Sequence, residues 1–209
     1  GVLVLVADGM GGHEAGDVAS TTATDVVASS YYTHTGTPRD ALNDAVTEAN
    51  AQIWNAAQND EDRHGMGTTC TTLVLRGHEA FSAHVGDSRL YRLRAGAFEK
   101  LTTGHSLVEE MVADGLITEE EARHHDARNV ITRAVGSREY VQVDTGVYNT
   151  KPGDAFLLCS DGLHGYLQPP EIPPVVNLGP DAACERFIEM ANSRGGKDNI
   201  TAIVVQTDS

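Results

Sequence analysis

Near residue 66 the spacing of apolar residues changes, and that change limits what the chain can build. Before it, Leu42, Val46, Ala49, Ile53 and Ala57 recur at helical spacing, as expected of a helix with one buried face. After it the period falls to 2. Segments 69–75, 80–85, 89–94 and 98–101 then predict short strands separated by glycine-containing turns. Tight turns join antiparallel neighbours, so these four strands are expected to form a meander.

The remaining segments fit around that block. The chain opens with Gly1-Val-Leu-Val-Leu-Val-Ala7, a continuous aliphatic run expected to be a strand covered on both faces. The glycine cluster Asp8-Gly-Met-Gly-Gly12 ends it, and a helix is predicted over 16–30. Thr37 can cap the next helix, and Pro38 suits its first position. Segments 106–113 and 118–123 predict short helices, the first closed by Gly115, the second opened by a Thr118/Glu121 capping box. Strands are expected again over 141–148, 155–159 and 200–206. A last helix begins at Pro180, with Cys184, Phe187, Ile188 and Ala191 on one face and Gly195 as its stop. The proline-rich stretch 168–174 predicts a surface loop. Early helices, antiparallel strands and a late helix indicate an α+β sandwich rather than a doubly wound α/β fold. Neither a repeat nor a linker divides residues 1–209, so one domain is expected.

Charge narrows the partners. The 15 basic and 30 acidic residues leave a net charge of −15, which argues against binding to nucleic acid or to an anionic membrane surface. No apolar run approaches the roughly 18 residues that a spanning helix needs, and no signal peptide precedes the first strand-like segment. Cys70, Cys159 and Cys184 cannot all pair, and each lies in an apolar segment. They are expected to be reduced and buried, which suits a cytoplasmic location.

Four aspartates share one context. Asp8 ends the first strand and Asp161 follows the strand 155–159, each with glycine next to it; Asp87 lies in Val85-Gly-Asp-Ser-Arg89 between two strands, and Asp198 precedes the strand 200–206. Any one of them is explained by turn chemistry, because Asp-Gly and Gly-Asp are common turn dipeptides. Four together, each abutting an apolar strand, suggest convergence on one edge of the core. Carboxylates gathered there would repel unless a cation lay between them. Mg²⁺ or Mn²⁺ suits such a place, because these ions take oxygen ligands, keep several waters and need few protein carboxylates.

Other motifs break down on inspection. The Gly9-Met10-Gly11 sequence has Glu14 where a dinucleotide fingerprint needs its third glycine, and Gly195-Gly-Lys197 is followed by Asp198 rather than Ser or Thr. Asp60-Glu-Asp62 starts like a calcium loop, but His64 and Thr71 stand where acids are needed. Cys70 and Arg76 have the spacing of a cysteine-phosphatase loop, yet as ends of a strand they would lie roughly 20 Å apart. His124-His125 predicts a solvated helix end.

Six segments in order carry a resemblance: Asp8-Gly-Met-Gly-Gly12, Gly65-Met-Gly-Thr-Thr69, Val85-Gly-Asp-Ser-Arg-Leu-Tyr91, Asn129-Val-Ile-Thr-Arg-Ala-Val-Gly136, Leu158-Cys-Ser-Asp-Gly162 and Lys197-Asp-Asn-Ile-Thr201. Together they resemble the bacterial metal-dependent protein phosphatases, the protein phosphatase 2C-like (PPM) family. The resemblance implies a four-layer αββα sandwich, two central antiparallel β-sheets flanked by helix pairs. It implies hydrolysis of phosphoserine and phosphothreonine in proteins by a water activated between two Mn²⁺ or Mg²⁺ ions. Carried over by position, Asp8 is the carboxylate bridging both ions and Gly9 gives a carbonyl to one of them. Asp161 and Asp198 hold the other ion, Asp87 with Asp161 holds a weaker third, and Asn199 gives hydrogen-bonding support. Segment 106–136 becomes a flap beside the site. Phosphorylated substrates of serine/threonine kinases become the partners, and the chain is expected to act as a monomer in the cytoplasm, with no nucleic acid and no membrane insertion.

Three departures from the family pattern stand out. The family's first strand, with its phosphate-gripping arginine and nearby Asn-Glu-Asp segment, is expected to be missing ahead of Gly1. Met10 stands where many eukaryotic members carry a histidine acid, leaving His13 as the nearest group to protonate the leaving group. Gly104, in Thr103-Gly-His105, stands where the family usually has aspartate. The first departure keeps a second reading open, a phosphatase-like module that binds phosphoprotein with little or no turnover. A hydrolase of small phosphomonoesters is a third.

Overall fold

The computed structural model describes residues 1–208, apart from the His13 side chain. Its elements in chain order are β1 (Val2–Val6), β2 (Gly9–Met10), α1 (His13–Thr33), α2 (Pro38–Gln58), β3 (Gly67–Thr68), β4 (Cys70–Arg76), β5 (Glu79–Val85), β6 (Arg89–Arg94) and β7 (Ala97–Lys100). Then follow α3 (Leu107–Ala113), α4 (Glu119–His124), β8 (Asp144–Asn149), β9 (Ala155–Cys159), α5 (Asp161–His164), α6 (Ile172–Val176), α7 (Pro180–Ser193) and β10 (Ala202–Gln206).

The strands form two four-stranded sheets ordered β1-β4-β5-β8 and β10-β9-β6-β7, with a small β2-β3 ladder beside them. All pairings are antiparallel. The expected meander is therefore split: β4 and β5 pair in one sheet, while β6 and β7 belong to the other. The crossing occurs at Gly86-Asp87-Ser88, where Gly86 has φ +107° and a Cβ would lie 2.6 Å from Thr69 Cβ. Glycine is required at that corner, and the corner presents Asp87.

Period-2 alternation sorts each strand between two environments. On β4 and β5, Cys70, Val74, Phe81, Ala83 and Val85 pack under α1 and α2. Leu73 and Ala80 point the other way and meet Leu90, Phe156 and Leu158 from the second sheet. On the far side Tyr91, Leu93, Leu157 and Cys159 pack beneath α6 and α7 through Val175, Phe187 and Ala191. Three apolar layers between four layers of secondary structure make the αββα sandwich. On β1, Leu3 and Leu5 face the helices while Val4 and Val6 face the second sheet, but the expected cover is incomplete, since only Val6 is fully buried and Val2 is 61% exposed.

Several local expectations hold and some do not. Thr37 Oγ1 accepts the Asp40 N–H at 3.2 Å and Pro38 begins α2, while Thr118 and Glu121 complete their capping box. The proline-rich stretch is not a loop. It forms a 3₁₀ turn (Pro169–Glu171) and then α6, which buries Ile172, Val175 and Val176. Pro173 and Pro174 sit in the first turn of α6, where the missing N–H groups would have no partner anyway. Cys184 is only partly buried, unlike Cys70 and Cys159, though all three are free thiols. Cys70 lies in β4, paired with Val85 of β5. Asp60 caps a 3₁₀ turn over Glu61–Arg63 instead of opening an ion loop, and His124 is exposed beside Glu120. Among the described residues no helix is long and apolar enough to cross a membrane.

Candidate metal centre

Asp8, Asp87 and Asp161 each lie two residues beyond the end of a strand, and Asp198 lies in the loop between α7 and β10. Asp8 follows β1. Its N–H donates to Thr69 Oγ1 at 2.9 Å, and its carbonyl accepts from the Thr69 N–H at 2.8 Å and from Thr68 Oγ1 at 3.0 Å. Thr69 Oγ1 also meets Ser88 Oγ at 2.8 Å, which ties the Asp8 junction to the loop that carries Asp87. The Asp87 carbonyl accepts from His164 Nε2 at 3.1 Å. That histidine lies on α5, the helix Asp161 begins.

Asp161 and Asp198 are joined through Ser160. Ser160 Oγ donates to the Asn199 carbonyl at 3.3 Å and accepts the Thr201 N–H at 3.1 Å. Gly162 packs directly against the Asn199 carbonyl, so a side chain there would force the two loops apart. Gly9 makes a similar close approach, since a Cβ on it would lie 2.1 Å from the Gly16 carbonyl of α1. Asn199 donates its N–H to Asp198 Oδ1 at 2.8 Å, and its side chain is exposed. His13 begins α1, but its side chain falls outside the described residues.

Electrostatics record the crowding. Burial, then the charges of Asp161, Asp198 and Asp87, push the Asp8 carboxyl up to about 7. Burial and Asp161 push Asp87 up to about 6. Burial and Asp198 raise Asp161. Like charges that resist ionising together create a deficit of positive charge at this edge of the sandwich. The charge of Arg89 opposes the rise at both Asp87 and Asp161.

This donor set fits hard divalent ions. It offers carboxylate oxygens and backbone carbonyls. Among the described residues no three Asp, Glu, His or Cys side chains converge closely enough to enclose one ion by themselves. Closed cages of that kind serve structural zinc. Sparse oxygen donors that leave room for water suit Mg²⁺ or Mn²⁺.

The sequence signals brought Asp8, Gly9, Asp87, Asp161, Asp198 and Asn199 to adjoining loops. They did not single out the residues that hold those loops: Thr68, Thr69, Ser88, Ser160, His164 and His105. The His105 N–H donates to the Gly86 carbonyl at 2.8 Å, and His105 Nδ1 accepts the Gly86 N–H at 3.0 Å. With Nδ1 accepting, the hydrogen belongs on Nε2, which faces Asp144 Oδ2 at 3.1 Å. The available signal was position, since all six except His164 and His105 lie inside the quoted segments. Small hydroxyl residues next to a strand-end acid are the usual means of fixing its backbone.

Comparison with known proteins gives a consistent result. The protein phosphatase 2C family pattern matches residues 1–207. The serine/threonine phosphatase stp of Listeria monocytogenes is 38% identical over 213 residues, covering 99% of this chain and 84% of the relative. The crystal structure of the Mycobacterium tuberculosis serine/threonine phosphatase PstP/Ppp superposes with a TM-score of 0.92 at 35% identity, covering 99% of this chain and 88% of that one. The PstP catalytic domain in complex with two manganese ions superposes with a TM-score of 0.89 at 34% identity, with the same coverage. A shared sandwich, an unbroken match along the chain and acids gathered at one sheet edge agree: this chain belongs to the protein phosphatase 2C family.

Proposed function

We propose that the protein removes phosphate from phosphoserine and phosphothreonine in other proteins, in a reaction that depends on Mn²⁺ or Mg²⁺. The observation that supports this best is the set of mutually repelling carboxyls of Asp8, Asp87, Asp161 and Asp198 in a chain of this family. In this reading the Asp8 carboxylate would be shared between two ions, with the Gly9 carbonyl serving one of them. Asp161 and Asp198 would hold the other, and Asp87 with Asp161 would offer a weaker third position. Bound there, the ions supply Lewis acidity and an activated water for in-line attack on phosphorus.

The chain's own groups perform the positioning. Thr68 and Thr69 fix the Asp8 backbone, so the shared carboxylate keeps one direction. Ser160 ties the Asp198–Asn199 loop to the base of α5, which sets the separation of Asp161 and Asp198. His164 steadies the Asp87 loop as a neutral donor, because burial keeps its pKa well below the ordinary histidine value. Asn199 stands beside Asp198 as hydrogen-bonding support. His13, where α1 begins, is assigned the proton for the departing seryl or threonyl oxygen. Without cations the four acids would repel a phosphoryl group, so binding and turnover are both expected to need metal.

In the same reading residues 1–209 form one catalytic domain acting as a monomer on phosphoproteins in the cytoplasm. Nucleic acid and membrane insertion play no part. The test is phosphate release from a phosphothreonine peptide by the purified chain. Release should require Mn²⁺ or Mg²⁺, stop with a chelator, and fall at least a thousandfold in Asp161→Asn. No release in excess Mn²⁺ would overturn the proposal.

A further inference from the structure

Residues 107–131, which carry α3 and α4, are rooted at both ends in the loops that present the acids. At one end His105 makes its two bonds to Gly86, the neighbour of Asp87. At the other, the Thr68 and Val135 main chains exchange bonds of 3.0 and 2.9 Å, while Thr68 Oγ1 holds the Asp8 carbonyl. Just inside the second root Arg133 Nη1 donates to Asp144 Oδ1 at 2.8 Å, but the 107–131 segment itself has few side-chain ties to the rest of the molecule. Among the described residues Glu109 makes its only ion pairs with the body, and an Arg123–Gln168 hydrogen bond is the other polar tie.

Glu109 sits in the first turn of α3, which Ser106 caps. Lys100 Nζ, at the end of β7, reaches both its oxygens at 3.0 and 2.9 Å. Arg89 Nη2 reaches Oε1 at 3.0 Å, while Arg89 Nη1 donates to Tyr91 Oη at 3.2 Å. The strand pleat puts Arg89 and Tyr91 on one face of β6, and register sets Lys100 opposite Tyr91, so the β6–β7 hairpin presents the two cations together. Gly104 leaves room for the acid, since a Cβ there would lie 3.3 Å from Glu109 Cδ. The charge of Arg89 also opposes the raised pKa of Asp87 and of Asp161. A single carboxylate thus fastens α3 to the sheet and holds that guanidinium.

We propose that Glu109 is a positioning residue, a latch shared between Lys100 and Arg89 that sets how α3 stands over the site and so governs access of phosphoprotein substrates. In the phosphatase reading a protein substrate would reach the neighbouring 107–131 segment, whereas a small aryl phosphate would need only the acids. The inference rests on the phosphatase reading for its substrate and on the geometry alone for the latch.

The test pairs Lys100→Met with Glu109→Gln, because these changes loosen the same contact while altering charge in opposite senses. Both should raise KM for a phosphothreonine protein about three- to tenfold, as expected for a partly buried ion-pair network. Both should leave kcat/KM for a small aryl phosphate within about twofold, and Lys100→Arg should restore the parent KM. Hydrogen exchange in 107–131 should quicken in both variants, with α1 and α2 unchanged. Mn²⁺ affinity, read by calorimetry, should weaken in Glu109→Gln and hold or tighten in Lys100→Met. Unchanged exchange in both variants overturns the latch, as do KM changes of opposite sign that follow Mn²⁺ affinity. If the parent protein hydrolyses neither substrate, the phosphatase reading fails, and exchange alone still decides the latch.

Discussion

Gly162 and Asn199 are in main-chain contact: a Cβ on Gly162 would lie 2.2 Å from the Asn199 carbonyl oxygen and 3.4 Å from Asp198 Cβ. The contact sets the distance between Asp161, at the start of α5, and Asp198. Gly162→Ala must move one loop, because a backbone oxygen cannot rotate aside as a flexible side chain would. Phosphatase activity is expected to fall at least a hundredfold. The stability cost should stay in the range of an overpacked site, about 1–3 kcal/mol. Calorimetric Mn²⁺ titration beside thermal unfolding checks this, and parent-like Mn²⁺ affinity would count against it.

The repulsion around Asp8 has a pH signature in the metal-free protein. Its carboxyl is raised from 3.8 to about 7, so between those values the folded state binds more protons than the unfolded chain. Stability must then fall as pH rises through that window. Chelator-treated protein should melt several degrees higher at pH 5 than at pH 7.5. Asp8→Asn should flatten part of that slope, the remainder coming from the raised carboxyls of Asp87 and Asp161, and should melt above the parent at pH 7.5.

Metal should reverse this ranking. An ion that binds only the folded state adds about 2.7 kcal/mol at a hundred times its dissociation constant. Saturating Mn²⁺ should therefore raise the melting temperature of the parent, with little effect on Asp8→Asn or Asp161→Asn. Equal shifts in all three proteins would place the stabilising ion elsewhere.

Much of this architecture was legible because local signals agreed with burial. The aliphatic run before Asp8, the 3.6-residue spacing through Ile53 and the period of 2 in β4 and β5 each had one physical reading. The acids were legible because a carboxylate at the end of an apolar strand is costly without a partner. What escaped the sequence was long-range. Nothing local to Gly86 states that β6 leaves the sheet of β5, since either sheet satisfies its alternation. Pro173 and Pro174 suggested a loop because the rule against proline in helices lapses in the first turn. Nothing local to Lys100 or Glu109 states that they meet, because the contact joins the end of β7 to the first turn of α3.

Asn50 on α2 fixes the return of the 107–131 segment to the body. It is buried, donates from Nδ2 to the Arg138 and Glu139 carbonyls at 3.1 and 3.0 Å, and accepts the Gly136 N–H at 2.7 Å. Asn50→Ala would strand three main-chain groups, for a loss of about 2–4 kcal/mol. Gly136 cannot move in to compensate, because it already lies against Ile53. Denaturant unfolding gives the cost, and exchange should rise at residues 134–139 before it rises in the sheets. A loss below about 0.5 kcal/mol would mean that these bonds are replaced by water.

A second pH effect lies far from the acids and has the opposite sign. Asp154, buried between β8 and β9, accepts from Arg94 Nε at 2.7 Å and Nη2 at 2.6 Å and from the Lys151 N–H at 2.8 Å. Burial raises its pKa, but the bonds from Arg94 and the Lys151 backbone outweigh that effect and hold the carboxyl below its ordinary 3.8. A depressed folded value means that the stabilisation is complete above 3.8 and is lost as pH falls from there through the lower value in the fold. Asp154→Asn should therefore melt several degrees below the parent at pH 7. The gap should stay constant down to about pH 5 and narrow only in stronger acid. Arg94→Lys should recover part of the gap at most, since an ammonium cannot match the two parallel bonds of the guanidinium. A gap that closed near neutral pH would assign the effect to another group.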